Sequence, residues 1–295
     1  MFMKKTIQDI ALQWFAIYIC GLAAIICLLP FWLIIAASLT SEIEIIKNGY
    51  SLIPSVFSME AYRIIFSNPA RIFRSYMITG FVTICGGLGG LFLTTMTAYT
   101  LMRKNFKIRN HLAFFFYFTT LFSGGLIPSY ILISQYLNMK DTIAVLIIPS
   151  LMGAWNIFLM RNFMNEIPHE IAESAQIDGA NEFIIFIKLY LPLSTAGLAT
   201  IGLFICLGYW NSWMPTMLYI NKPEMYTLQY LLMDMLASIR ALREMSFIAN
   251  IPIQDMPSES FKMAMAVIVT GPIILVYPFV QKYFVKGLTV GAVKG

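Results

Sequence analysis

The chain of 295 residues is 59% hydrophobic and only 12% charged, whereas soluble domains are about 25% charged. Its net charge of +5 is modest and its basic residues are spread along the sequence, so no nucleic-acid patch is predicted. The composition indicates a protein that lies largely in lipid. The four cysteines fall inside apolar runs without metal-ligand spacing, which favours small buried side chains over disulfides or a metal site.

Six apolar runs are long enough to cross a bilayer, which takes about 20 mostly apolar residues per helix. Backbone polar groups in hydrocarbon must be satisfied within the segment, so helices are predicted rather than open strands. The first run exceeds the apolar core of a signal peptide, about 7–15 residues, and is predicted to be a retained helix. The predicted spans are 14–39, 75–102, 112–137, 143–163, 193–220 and 261–284.

The positions of lysine and arginine predict the orientation of these spans. Segment 103–110 contains four basic residues and no acidic one, and further lysines lie near both termini. Because basic residues accumulate in cytoplasmic loops, both termini are predicted to be cytoplasmic. Segment 165–192 is then also cytoplasmic, and loops 40–74 and 221–260 are external. The predicted fold class is all-α, a polytopic protein of the cell (plasma or inner) membrane surrounded by lipid.

Glycine and proline mark two places where helix packing departs from a regular span. Ser-Gly-Gly at 123–125, followed by Pro128, predicts a break or kink in the third run. Gly86 and Gly90 form a GxxxG pattern in the second run, which allows another helix to approach closely. No GxxxxGK[ST] phosphate loop occurs, so this chain is not predicted to bind ATP in that way.

Catalytic chemistry finds little support, and no catalytic residue is predicted. His169 and Glu170 begin a zinc-protease-like HExxH pattern, but position 173 is Glu, so no metal site is predicted. Few acidic residues lie within the runs, which disfavours a proton-coupled carrier. Polar and aromatic residues in the runs fit either an interfacial belt or a pathway that contacts sugar rings. The pathway candidates are Tyr130, Gln135, Asn156, Trp210, Asn211 and Trp213.

The polar segment 165–192, between the fourth and fifth runs, is predicted to form a helix–turn–helix on the cytoplasmic surface. Pro168 suits a first helical residue, and Gly179 suits a helix end with positive φ. A second helix is predicted from Ala180 to Pro192. Its predicted apolar side consists of Phe183, Ile184, Ile187 and Tyr190. The residues alone also allow an ordinary amphipathic connector.

The spacing in this segment resembles the EAA loop of ABC-importer membrane subunits. The family pattern is E-A-A, three residues, G, nine residues, I, one residue and L-P. Ser174 and Leu189 depart from it, with small changes in side-chain bulk. Segments 123–132, 210–220 and 286–295 resemble the maltose-permease-like branch, and within it the oligosaccharide and polysaccharide-fragment group. The residues at the positions of this pattern are Glu173, Ser174, Ala175, Gly179, Leu189, Leu191 and Pro192.

This resemblance implies a type I ABC importer permease fold, with one transmembrane domain over 1–295. It implies a homologous second permease subunit, two ATPase subunits, an extracytoplasmic solute-binding protein and a sugar or oligosaccharide substrate. ATP and magnesium would be bound by the ATPase partners, so this chain is not an enzyme and binds no cofactor. The C-terminal tail 286–295, with Gly287, Gly291 and Gly295, would reach the ATPase subunits. The implied coupling residues are Glu170, Glu173, Ser174, Ala175, Asp178, Gly179 and Ala180.

Three alternatives stay open at this stage: an ABC permease for a non-sugar solute, a secondary carrier and a membrane scaffold. A secondary carrier predicts inverted repeats and ion ligands near the middle of the bilayer, and the sequence shows neither clearly. An EAA-type loop disfavours a scaffold. The sequence names neither the sugar nor its length.

Overall fold

The computed structural model describes residues 7–248 and 258–292, and the side chains of 12–245, 258–275 and 278. The described residues are helical and contain no named strand, and a single isolated bridge pairs Thr40 with Phe57. The all-α fold class is therefore confirmed. The α-helices are α1 (Ile7–Ser38), α2 (Glu42–Asn48), α3 (Glu60–Ile65), α4 (Pro69–Met102), α5 (Arg109–Leu121), α6 (Leu126–Ile131), α7 (Ala144–Ile147), α8 (Ala154–Asn165), α9 (His169–Ile177), α10 (Glu182–Ile185), α11 (Leu191–Leu193), α12 (Thr195–Trp210), α13 (Met214–Tyr219), α14 (Leu228–Ile248) and α15 (Glu259–Ala292).

Two single helices of the described part are long and apolar enough to cross a membrane, α1 and α4. Three bent pairs also qualify if each counts as one span. They are α5 with α6 and its extension to Tyr136 (114°), α7–Ser150 with α8 (54°), and Glu182–Leu193 with α12 (85°). The described residues therefore provide up to five spans, and the six-span topology stays a prediction.

The predicted break in the third run is confirmed. α5 ends at Leu121, and Gly125 then has a φ of +87°, which side chains other than glycine rarely adopt. The Ser129 hydroxyl and amide both donate to the Gly125 carbonyl and start α6. A second break, in the fourth run, was not predicted. It follows Ser150, where Pro149 removes a helical amide donor from a short 3₁₀ turn.

The predicted fifth span, 193–220, is not one helix. α12 ends at Trp210 and α13 begins at Met214, with Pro215 in its first turn. The two segments assigned to external loops also contain helices, with α2 and α3 in 40–74 and α14 in 221–260. These helices are short or carry charged residues, so a search for long apolar runs does not detect them.

Contacts divide the chain into two compact units, which are described separately. One unit consists of the described residues within Met1–Pro69 and Leu232–Pro272, and the other of those within Ala70–Leu231 and Ile273–Gly295. The core of the second unit includes the fully buried side chains of Ile157, Met160 and Tyr190.

Glycines of α4 allow close helix contacts in this second unit. A Cβ atom on Gly86 would lie 2.5 Å from the ring of Tyr209, and one on Gly90 would lie 3.0 Å from the carbonyl oxygen of Leu151. The GxxxG pattern therefore serves helix packing, as predicted. α4 contacts α12 and the break before α8 with no room for a methyl group at Gly86.

In the first unit, the carboxylate of Glu42 binds the first turn of α15. It accepts hydrogen bonds from the amides of Glu259 (3.0 Å) and Ser260 (3.0 Å) and from the Ser260 hydroxyl (3.0 Å). Arg243 of α14 donates to the same carboxylate at 2.9 Å. The Glu42 side chain is only 4% exposed, so this buried charge is neutralised by a cation and by the amides of a helix N-terminus.

Candidate functional site

The segment that resembles an EAA loop folds as two helices joined by a tight turn. The first, α9, begins at His169, because Pro168 has an extended ψ of 134° and lies just outside the helix. This corrects the prediction that Pro168 is the first helical residue. Proline also fits the position before a helix, since its fixed φ and missing amide donor cost little there.

α9 ends in a paired cap around Gly179. The Ala180 amide donates to the Ala175 carbonyl at 2.9 Å, and the Gly179 amide donates to the Gln176 carbonyl at 3.0 Å. This pair of bonds defines a Schellman motif, which requires a left-handed residue. Gly179 has a φ of +84°, as predicted. A Cβ atom there would have nothing within 4 Å, so backbone conformation and not space requires glycine.

The second helix begins at Glu182 and not at Ala180. Asn181 precedes it, and its side-chain oxygen accepts a hydrogen bond from the Ile184 amide at 2.9 Å. A π-helical turn, Phe186–Tyr190, follows α10 and leads into α11. The second helix is therefore capped by a side chain and interrupted by one wide turn.

Of the residues predicted to form the apolar side of this second helix, only Tyr190 is buried. Five consecutive apolar residues, 183–187, leave the helical phase undetermined by sequence, and a π-helical turn shifts the register further. The core instead receives Ile185, Phe186 and Tyr190. The other three residues of the predicted apolar side are exposed: Phe183, Ile184 and Ile187.

The outer surface of α9 presents acidic and apolar groups to solvent. Glu173 is exposed, on the opposite side from the half-buried Ile171, while Ala172 is fully buried. Ile177, at the end of the helix, is 87% exposed. Such a surface suits a partner that offers a basic group beside an apolar cleft. Of the other coupling candidates, Glu170, Ser174, Asp178 and Gly179 are exposed, and Ala175 and Ala180 are half-buried.

Glu182 fastens this loop to the end of α4. One carboxylate oxygen accepts hydrogen bonds from Arg103 (2.7 Å) and Gln176 (2.8 Å), and the other accepts one from the Tyr99 hydroxyl. Partial burial opposes ionisation of Glu182, but the bonds from Arg103 and Tyr99 outweigh it and lower its pKa below the ordinary value. Sequence reasoning missed this cluster, because Arg103 and Glu182 are 79 residues apart and no spacing pattern connects them.

Aromatic rings strengthen the same attachment. The Tyr99 ring lies 5.0 Å from that of Tyr190 and 5.3 Å from that of Phe186, both in the π-helical turn. The Arg103 guanidinium lies 5.8 Å from the centre of the Tyr99 ring, within cation–π range. The loop is thus held to α4 by packing as well as by charge.

One of the predicted pathway residues, Asn156, lines a cavity of about 220 Å³. The cavity lies beside the break before α8 and the end of α12, and Ser150, Ser212 and Phe204 also line it. The neighbouring Tyr209 hydroxyl donates to the Ile147 carbonyl at 2.8 Å, which closes the free end of α7. Polar side chains and the rings of Phe204 and Tyr209 therefore meet at the broken fourth run.

The remaining pathway candidates do not line this cavity. Tyr130 stacks on Tyr219 at 5.7 Å, and the Trp210 ring lies 6.4 Å from that of Tyr76. Gln135 is exposed in a π-helical turn, Asn211 is exposed and donates to the Leu207 carbonyl, and Trp213 is half-buried. Gly287 and Gly291 of the tail lie within α15, and Gly295 lies outside the described residues.

Comparison with known proteins agrees with this architecture. The family model for "Binding-protein-dependent transport system inner membrane component" matches residues 86–290. The chain is 38% identical to the "Polygalacturonan/rhamnogalacturonan transport system permease protein YtcP" of Bacillus subtilis (strain 168), over 99% of this chain and 100% of that protein. It is 37% identical to "Protein LplC" of the same organism, over 95% of this chain and 93% of that protein.

A solved structure shares the fold along nearly the whole chain. In the crystal structure of a bacterial ABC transporter involved in the import of the acidic polysaccharide alginate, one chain aligns with a TM-score of 0.75 and 28% identity, covering 96% of this chain and 100% of that one. The helical architecture and the EAA-type loop are those of a membrane permease subunit. The chain belongs to the family of binding-protein-dependent transport system inner membrane components.

Proposed function

We propose that this chain is one of two homologous permease subunits of an ATP-driven importer of oligosaccharides, including fragments of acidic polysaccharides. Two ATPase subunits bind on the cytoplasmic side, and a solute-binding protein delivers the substrate from outside. Two similarities support this substrate class. One is to a permease named for polygalacturonan and rhamnogalacturonan transport, and the other is to a chain of an alginate importer.

The observation that carries the proposal is that the EAA-type segment folds as a capped helix–turn–helix whose Glu173 points outward. In the proposed mechanism, ATP draws the ATPase subunits together and the coupling loop moves with them. The spans then rock between inward and outward access. Such a loop shifts this equilibrium only if its ATPase contacts differ in free energy between the two states.

The first test is reversal of the charge at Glu173 in the complete complex. The chain is co-expressed with candidate ATPase, second permease and binding-protein subunits, solubilised and captured by a tag. Wild type should retain the ATPase, and Glu173→Lys should lose most of it, because a like charge then faces the basic site proposed on the partner. The control is Glu224→Lys, the same change at another exposed position far along the chain.

The outcomes separate the alternatives. Capture of the ATPase by wild type and by Glu224→Lys, but not by Glu173→Lys, supports the importer and locates its coupling surface. No ATPase with any of the three proteins would return the secondary carrier and the scaffold to first place.

We further propose that the cavity beside Asn156 lies on the substrate path. Irregular backbone at membrane depth is tolerated where it lines a cavity, and broken helices surround substrate sites in other transporters. The amide of Asn156 and the hydroxyls of Ser150 and Ser212 can bond sugar hydroxyls, while the Phe204 ring can cover an apolar sugar face.

The test of this site is Asn156→Leu in proteoliposomes that contain the whole complex, with oligogalacturonate as the first substrate. Uptake should fall about threefold to tenfold, the factor expected for one neutral hydrogen bond. Asn110→Leu makes the same change at an exposed position of α5 that does not line the cavity, and it should leave uptake unchanged. Equal loss in both variants, or in neither, would remove Asn156 from the substrate path.

A further inference from the structure

Glu182 connects three helices of the second unit at one carboxylate. It belongs to α10, it accepts a hydrogen bond from Gln176 of α9, and it is bonded to Tyr99 and Arg103 at the end of α4. Its Arg103 partner is 12% exposed, and the bond between them is charge-assisted and 2.7 Å long. Bonds of this kind are about twice as strong as neutral ones and fix direction as well as distance.

α4 continues from this carboxylate to the substrate cavity. The helix is an unbroken 34 residues, and its Gly86 and Gly90 lie against Tyr209 and Leu151, both of which line the cavity. Contacts this close leave no free volume, so a displacement of α4 must move its neighbours. Glu182 and the cavity wall are therefore linked by one continuous helix.

We propose that the ion pair between Arg103 and Glu182 is the joint through which the coupling loop drives α4 and thereby the cavity wall. Both are positioning residues, because neither touches ATP or the cavity that holds the substrate. The inference rests on the proposed function and adds to it the path by which motion of the loop reaches the membrane. The segment 173–175, at the E-A-A positions of the family pattern, binds the ATPase, and Glu182 transmits the resulting movement.

Two features make the ion pair separable from the folding of the loop. The Glu182 side chain is 51% exposed, so its neutral amide analogue can be hydrated without burying an unpaired group. The rings of Tyr99, Phe186 and Tyr190 hold the loop against α4 without help from charge. Removal of the charge should thus loosen the joint and leave the loop folded.

The experiment compares wild type, Glu182→Gln, Arg103→Gln and the double variant in the complete complex. Three quantities are measured: ATPase retained on purification, melting temperature, and substrate imported per ATP hydrolysed in proteoliposomes. Both single variants should keep the ATPase and melt within a few degrees of wild type. Import per ATP should fall at least about fivefold, the lower end of ordinary coupling effects, and the double variant should be no worse than either single one.

Two controls define the result. Arg103→Lys keeps the charge and should recover most of the import per ATP. Glu60→Gln removes the exposed pair with Arg63 and should change nothing. The proposal would be wrong if Glu182→Gln left import per ATP unchanged. It would also be wrong if the variant lost bound ATPase and melted at a lower temperature in parallel with the loss of import. If the wild-type chain failed to retain the ATPase on purification, the proposed function itself would be wrong.

Discussion

Two glutamates of this permease place the same chemical group in different surroundings. Glu42, in one compact unit, is 4% exposed and accepts hydrogen bonds from the amides that begin α15 and from Arg243. Glu182, in the other, is 51% exposed and accepts bonds from the side chains of Tyr99, Arg103 and Gln176. One carboxylate completes a helix terminus, and the other joins α10 to side chains of α9 and of the end of α4.

The difference follows from the groups that each carboxylate binds. The first amides of a helix have no partners within the helix, so a buried helix start depends on an acceptor such as Glu42. Glu182 itself lies at a half-exposed position, where water can replace a bond that its carboxylate loses. We therefore expect Glu42 to act mainly on stability and Glu182 mainly on the coupling of movements.

The largest expected effect is that of Glu42→Ala. It leaves the Ser260 amide and the Arg243 guanidinium without their buried acceptor, and loss of one partner from a buried pair costs about 3 kcal/mol or more. Thermal unfolding of the purified complex should show a clear drop in melting temperature. Glu60→Ala removes an exposed pair, which is usually worth less than about 1 kcal/mol, and should melt like wild type.

The pH dependence of the melting temperature of Glu42→Gln tests whether the charge of Glu42 is what stabilises the helix start. Burial opposes ionisation of Glu42, but hydrogen bonds from Ser260 and Glu259 outweigh it and lower its pKa. Its stabilising effect is then present above the ordinary glutamate pKa of about 4.3 and is lost as pH falls through the lower folded value. The difference in melting temperature between wild type and variant should stay constant from about pH 8 to 5 and shrink in stronger acid. A constant difference throughout would mean that shape, and not charge, stabilises the helix start.

Much of the fold could be predicted from the average composition of long segments of the sequence. Apolar runs indicated α1 and α4 because a lipid environment selects for composition over many residues. The glycines and proline at 123–128 indicated a break because glycine readily adopts non-helical conformations and proline lacks a helical amide donor. α14 and the break before α8 were missed, since one depends on packing of a charged helix and the other on a single proline within an apolar run.

The candidate site likewise contains some features that could be predicted from the sequence and others that could not. The turn at Gly179 was predicted because φ is a local property and glycine is its usual residue. The side of the second helix that enters the core was not predicted, because five apolar residues in a row leave the helical phase undetermined. The bonds of Glu182 were not predicted at all. Pairing of residues far apart in sequence arises only once the chain has folded, so neither composition nor spacing contains it.

A smaller effect than that of Glu42 is expected from Gly179→Ala, which tests the loop to which Glu182 belongs. Gly179 has a φ of +84°, and a left-handed residue with a side chain costs about 1–2 kcal/mol. The cost falls on the Schellman cap of α9, so the variant should alter the presentation of Glu173 more than it alters global unfolding. Retention of ATPase should therefore drop severalfold while the melting temperature changes little.

Gly80→Ala is the matched control, since Gly80 lies within α4 without a positive φ, and a Cβ atom on it would have nothing within 4 Å. Alanine in a helix interior is favoured over glycine by about 0.5–1 kcal/mol, so this variant should be as stable as wild type or slightly more so. If Gly179→Ala retained the ATPase as well as Gly80→Ala does, the left-handed turn would not be what orients Glu173. Glu42 and Glu182 would then differ only in how deeply they are buried, because the coupling loop would not depend on a specific backbone geometry.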